Sequence, residues 1–194
     1  MANSTSITYR LKRKILTFTN KISRRLSKPD RKFTADMVYG ILSSKSCLLT
    51  DISDQLHESS RKANTVKRLS NHLAAGTPAS AAASYLRTVK KLVPSEPVVL
   101  IDESDVVKPD GKQFESLGIV RDGSESTQTK NVYKKGYHVT EACALTAHKH
   151  PISVFSRIHS SAEKDYKSVN TITFDAIKQA AALFGKATFV MDRG

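Results

Sequence analysis

Two acidic side chains close two short apolar runs: Val98-Val99-Leu100-Ile101 leads into Asp102, and Ala187-Thr188-Phe189-Val190-Met191 leads into Asp192. Apolar runs of this length read as buried strands. A strand end is a rigid place from which to present a carboxylate, and paired carboxylates offer the hard oxygen ligands that suit Mg2+ in phosphodiester chemistry. An Asp after a strand is more often a turn former or a helix cap. It is the repetition of one pattern that singles out Asp102 and Asp192.

Other reactive residue types carry less. Cys143, His148 and His150 prompt a zinc site, but no second Cys lies near and no four-ligand spacing is present, so a core cysteine and surface histidines account for them. Gly111, Gly118 and Gly123 make no phosphate-binding pattern; Asp122-Gly123 reads as a turn and 124–129 as a polar loop. Lys108, Lys112, Lys130, Lys134 and Lys135 either line a DNA path or are solvated loop charges. Tyr133 and Tyr137 either stack on bases or belong to the core. Arg193, beside Asp192, either orients a phosphate or pairs with an acid.

These residues need a scaffold. In the second half, strands are expected at Val98–Ile101, Leu117–Val120, Tyr137–Leu145 and Ile152–Ile158. A helix follows over Ile172–Phe184, with Phe174, Ile177, Ala181 and Phe184 as its stripe and Gly185 as its stop, then the strand Thr188–Met191. That order implies a mixed sheet covered by helices. In the first half, a helix starts near Phe33 with Thr34 as cap and Met37, Val38, Ile41 and Leu42 at helical spacing. A second is capped by Thr50 and carries Ile52 and Leu56; a third carries Val66, Leu69 and Leu73 and ends near Gly76. Arg61, Lys62, Lys67 and Arg68 lie on this third helix or at its start, so the trio is similar to a helix-turn-helix unit. One more amphipathic helix carries Tyr85, Leu86, Val89 and Leu92, and Pro94 and Pro97 bracket a linker. The expected divisions are 1–32, a basic arm, loosely ordered or partly helical; 33–93, a helical DNA-binding region; and 94–194, a sheet domain.

Charge supports that division. Residues 1–91 hold 18 Lys+Arg against 5 Asp+Glu, and residues 92–194 hold 13 against 13, so the whole net charge of +13 (18 minus 5) sits in the first half. A basic block next to a neutral one is the electrostatic footprint of nucleic-acid binding rather than of general solubility. The stretch Arg10–Leu16 is basic and amphipathic enough to touch an anionic membrane, though it is short. No run approaches the ~18 apolar residues needed to span a bilayer. Met1–Ser6 are polar, unlike a secretory signal, and the two cysteines suggest no disulfide framework. A reducing, cytoplasmic setting is expected.

The segments Ile101-Asp102-Glu103-Ser104, Lys135-Gly136-Tyr137-His138-Val139, His150-Pro151-Ile152-Ser153 and Val190-Met191-Asp192-Arg193-Gly194 together resemble the DDE transposases of bacterial insertion sequences, over roughly 35–194. The resemblance implies an α+β or α/β fold, with a helical DNA-binding region followed by a ribonuclease-H-like mixed sheet. It implies Asp102 and Asp192 as catalytic residues and as ligands of a two-metal Mg2+ (or Mn2+) site, with a Glu on a later helix as third ligand. The chain reads as shortened before that Glu, so weakened metal binding and slow or lost cleavage are expected. The family often has Thr after its first Asp, where this chain has Glu103 and Ser104; a slipped alignment would make Glu103 or Asp105 the ligand instead. Asp102 is preferred because it follows the apolar run directly. The implied activity is hydrolysis of a phosphodiester at a transposon end, then attack of the freed 3' hydroxyl on target DNA. Arg61, Lys62, Lys67, Arg68, Lys134, Lys135 and Arg193 are the expected DNA contacts. The implied partners are transposon-end and target DNA and a second copy of the chain, with no membrane and no small-molecule substrate, in a bacterial cytoplasm at the nucleoid. The alternative is a non-catalytic protein that occupies transposon ends, and a third possibility is an interaction domain whose Asp residues only make turns.

Overall fold

The computed structural model describes residues 4–192, with side chains from residue 9 onward; Arg193 lies outside the described residues. Among the described residues, six helices and five strands form two units, divided between Thr88 and Val89. The division falls a few residues before the expected linker.

The first unit is helical. Residues 4–32, read as a loose or partly helical arm, contain the 20-residue α1 (Ser4–Ser23) and the start of α2 (Lys28–Ser44). Its inward stripe, Ile15, Thr19, Ile22 and Ser23, mixes hydroxyls with isoleucines, which hides the helical period from an apolar count. Buried hydroxyls are tolerable there because each bonds its own helix backbone: Thr19 Oγ1 donates to Leu16 O at 3.1 Å and Ser23 Oγ to Thr19 O at 2.6 Å. Ser27, not Thr34, caps α2, accepting from Asp30 N at 3.3 Å with Pro29 in the first turn. Thr34 lies inside the helix and donates to Asp30 O.

α3 (Leu49–Leu56) and α4 (Lys62–Ala75) complete a three-helix cluster with α2. Its core is Phe33, Ile52 and Leu69, flanked by Met37, Ile41, Leu49 and Leu56. Gly40 lets α2 and α3 approach: a Cβ there would stand 2.4 Å from Ile52 Cγ2. Since Ile52 is wholly buried and has nowhere to retreat, Gly40→Ala is expected to cost about 1–3 kcal/mol in thermal or urea unfolding, despite alanine's better helix propensity. α5 (Ala79–Val89) follows.

The second unit is a five-stranded mixed sheet with one helix: β1 (Val98–Val107), β2 (Gly118–Arg121), β3 (Tyr133–Leu145), β4 (Pro151–His159), α6 (Val169–Phe184) and β5 (Thr188–Met191). β3 is the hub, pairing antiparallel with β1, β2 and β4, while β5 returns through α6 to lie parallel to β1. The longer ladders of β1 and β3 extend the apolar runs into polar sequence, because backbone pairing with a neighbour does not require apolar side chains.

One face of the sheet is dry. Val99 and Ile101 of β1, Ala142 and Ala144 of β3 and Val154 of β4 are buried, as are Ile172, Ala176, Ala180 and Phe184 of α6. This corrects the expected α6 stripe: Phe174 is 61% exposed. Alanines spaced four apart over strand alanines bring the helix close to the sheet, a signal lost when only large side chains are counted. A bulge between Ala142 and Cys143 on the β3–β4 ladder leaves Val154 without a ladder partner, and Gln179 of α6 donates to Val154 O at 2.6 Å, so the buried carbonyl stays satisfied.

Candidate functional site

Side chains alternate along a strand, and register decides which acids can meet. The last pair in the parallel β1–β5 ladder is Ile101 with Met191, so Asp102, the next residue of β1, and Asp192, the first residue past the end of β5, follow the same register pair. Strands in a ladder lie roughly 4.8 Å apart, a spacing over which two carboxylates can share a cation. Both side chains are exposed and line one cleft of volume ≈ 410 Å³ together with Ile101, Glu103, Val169, Asn170, Thr173 and Met191. Among the described residues neither Asp has an ion-pair or hydrogen-bond partner.

The alternation also separates the three acids of β1. Glu103 and Asp105 point to the face opposite Asp102. Glu103 accepts from Thr173 Oγ1 of α6 at 3.1 Å, and Asp105 Oδ1 is 2.7 Å from His138 Nδ1 on the facing position of β3. Glu103 reaches the cleft from the far side of the strand; Asp105 does not line it.

The cleft's remaining wall is the first turn of α6. Ser168 caps this helix, accepting from Thr171 N at 3.2 Å. The N–H groups of a helix's first turn have no intrahelical acceptor and carry the positive end of the macrodipole, which favours an anion. Val169 and Asn170 open that turn onto the cleft that holds the two carboxylates. Sequence reasoning placed the start of α6 three residues later and missed Asn170 and Thr173; the Ser168–Thr171 cap was the available signal.

Behind β1, on the α6 side, lies a polar layer. His159 is fully buried; its Nε2 lies 2.9 Å from Thr140 Oγ1, its Nδ1 has no partner, and its ring stacks between His138 (5.6 Å) and Tyr166 (6.1 Å). Burial, helped by the neighbouring His138, pushes the His159 pKa below its ordinary value of 6.5. The unfolded chain therefore binds the extra proton first. Stability is fully present above pH 6.5 and falls as pH drops below it, levelling off beneath the lower folded value. Melting temperatures between pH 8 and pH 5 are expected to fall less in His159→Phe than in the wild type.

The expected DNA contacts separate. Arg61 and Lys67 are exposed, and Lys62 pairs with Asp54 at 2.6 Å on the surface. Arg68 is bound inside the first unit: its Nη2 lies 2.8 Å from Asp36 and 3.0 Å from Glu58, whose carboxylate also takes bonds from Lys32 and Thr65. The Lys32 ammonium first, then Thr65 and Arg68, holds the Glu58 carboxyl down at about 2. Arg68 thus ties α4 to α2 and to the turn before α4. In the second unit, Lys134 pairs with the buried Asp122 at 3.0 Å and with Glu125; Asp122 also accepts from Ser124 N at 3.0 Å, which closes the expected turn. Lys135 is exposed.

The donor set of the cleft suits a hard divalent cation, being carboxylate oxygens free of protein partners. Among the described residues, no group of three or more His, Cys, Asp or Glu is gathered closely enough to hold a metal ion. Among the described residues, no helix is long and apolar enough to cross a membrane. Compared with protein-family models, curated proteins and solved structures, the chain matches none.

Proposed function

We propose that the chain is a DDE-type transposase that binds transposon-end DNA and carries out metal-dependent cleavage and strand transfer, with Asp102 and Asp192 as catalytic metal ligands. The observation that carries this is their adjacency: two acids, ninety positions apart (192 minus 102), follow the same register pair on neighbouring parallel strands and share a cleft. The order of the sheet supports a ribonuclease-H-like domain, since β4, β3 and β1 form an antiparallel trio and β5 joins β1 in parallel after a helix.

Asp102 and Asp192 would hold Mg2+ or Mn2+, which when bound lowers the pKa of an attacking oxygen and stabilises a leaving one. The protein's own contributions follow from the cleft. The two carboxylates set where the reacting phosphate lies. The first turn of α6 offers its free N–H groups to a phosphate oxygen. Thr173 holds Glu103 against α6, so the strand edge beside Asp102 keeps its shape. The exposed basic residues of the first unit would attract the duplex by counterion release. By the same reading the setting is the bacterial cytoplasm at the nucleoid, and two copies act on paired ends.

Mn2+ titration by calorimetry tests the site without requiring turnover. Wild-type protein is expected to bind Mn2+, and Asp192→Asn to weaken binding by tenfold or more. Equal binding in Asp102→Asn, Asp192→Asn and the wild type would refute the metal site. Salt-dependent DNA binding with no metal response in any form favours the non-catalytic reading.

A further inference from the structure

We propose that the outward stripe of α4, Asn64, Lys67 and Asn71, reads base edges in the major groove of duplex DNA. The inference rests on the reading that the first unit binds DNA, and it assigns the residues that choose a sequence. α4 has two sides of opposite character. Thr65 and Leu69 point into the three-helix core, at 3% and 0% exposure. Asn64, Lys67 and Asn71 are spaced three and four apart, so they share one face of the helix; all three are exposed, and beyond the helix's own backbone bonds their side chains have no partner among the described residues.

Their chemistry fits base recognition better than solvent display. Asn can pair with the N6 and N7 atoms of adenine in a bidentate manner, and Lys can donate to O6 and N7 of guanine. Ala63, Ser70 and Ala74 flank the stripe with small, exposed side chains, which lets the helix sink towards the groove floor. Fourteen residues give α4 a length of roughly 21 Å, enough to lie in a groove ~12 Å wide. The occupant is specified by charge: residues 1–88 hold 16 Lys+Arg against 5 Asp+Glu, a net +11 (16 minus 5), which suits a polyanion.

Preorganisation is the remaining requirement, and the inward side of α4 provides it. Arg68 is held by Asp36 and Glu58, and Thr65 donates to Glu58 Oε2 at 2.8 Å. These bonds lock the rotation of α4 about its own axis, so the stripe faces outward in one orientation. α3 packs against α4, and in a helix-turn-helix unit the helix before the reading helix crosses the phosphate backbone.

The test is selection from a random duplex library with the full chain, comparing the wild type, Asn64→Ala/Asn71→Ala and Lys67→Ala. The wild type is expected to enrich a consensus. The double variant should lose preference at two or more positions, with discrimination falling ~10-fold or more for each lost pair, while its affinity for random DNA and its melting temperature stay near wild type. Lys67→Ala should weaken binding and relax one further position. An unchanged consensus in the double variant overturns the inference and leaves DNA binding by the unit standing. Equal loss of specific and random binding also overturns it, because the stripe would then contact only phosphates. Wild-type binding without salt dependence removes the DNA-binding reading and this inference with it.

Discussion

Asp102→Asn and Asp192→Asn are each expected to abolish the Mg2+-dependent part of the slow nicking of supercoiled DNA, since several kcal/mol of lost metal stabilisation amounts to about a thousandfold or more. Asn keeps the shape of Asp and removes only the charge, so the folded state should be unaffected. By the proposed function the two acids, which line one cleft at the end of one parallel pair, would serve one cation, and groups that act as a unit are not additive. The double variant should therefore be no slower than the slower single variant. Asp105→Asn supplies the contrast, since Asp105 is paired with His138 on the other face of β1 and its removal should change nicking only a few-fold. Initial rates with supercoiled plasmid, with and without Mg2+, check all four proteins. A rate within tenfold of wild type for either Asp102→Asn or Asp192→Asn would dismiss them as metal ligands.

Leu69→Ala is expected to be the most damaging change in the first unit, at about 3 kcal/mol. Leu69 has no exposed surface and packs with Phe33 and Ile52 in the buried apolar cluster of α2, α3 and α4. The cluster is small and the total stability of a domain is on the order of 5–15 kcal/mol, so the loss is a large share. A shift of roughly 4–8 °C per kcal/mol for a unit of this size predicts a melting temperature lower by more than 10 °C. DNA binding should be lost with the fold on warming. The outward variants of the same helix separate the two causes: Asn64→Ala/Asn71→Ala removes no core contact and should leave melting within a degree or two. If Leu69→Ala melts with the wild type, the cluster does not hold the three helices together.

Much of the second unit was legible in the chain because apolar strand cores and a glycine stop are local signals. The start of β1 at Val98, the strand Thr188–Met191 and the end of α6 at Gly185 were expected where they occur. Pairing one apolar run with another and reading an Asp at each end also selected two of the three acids that line the cleft. The first 32 residues were harder, since α1 buries hydroxyls that bond its own backbone, and polarity in sequence then resembles disorder. The α6 stripe was read correctly only at Phe184, for a related reason: two of the four buried residues are alanines, Ala176 and Ala180, whose burial follows from closeness to the sheet rather than from their own hydrophobicity.

The charge split between halves and the identity of the strand-end acids follow from composition and local pattern, which need no knowledge of partners in space. Tertiary structure alone decided the rest. Strand register set Asp102 on one face of β1 and Glu103 and Asp105 on the other, because one residue along a strand reverses the face, and it left Asp105 outside the cleft that Asp102 and Glu103 line. Packing withdrew Arg68 and Lys134 from the set of free cations by placing acids beside them, and it brought the first turn of α6 to the carboxylates. Long-range pairing sets these distances, and residues remote in the chain leave no mark on each other's local sequence.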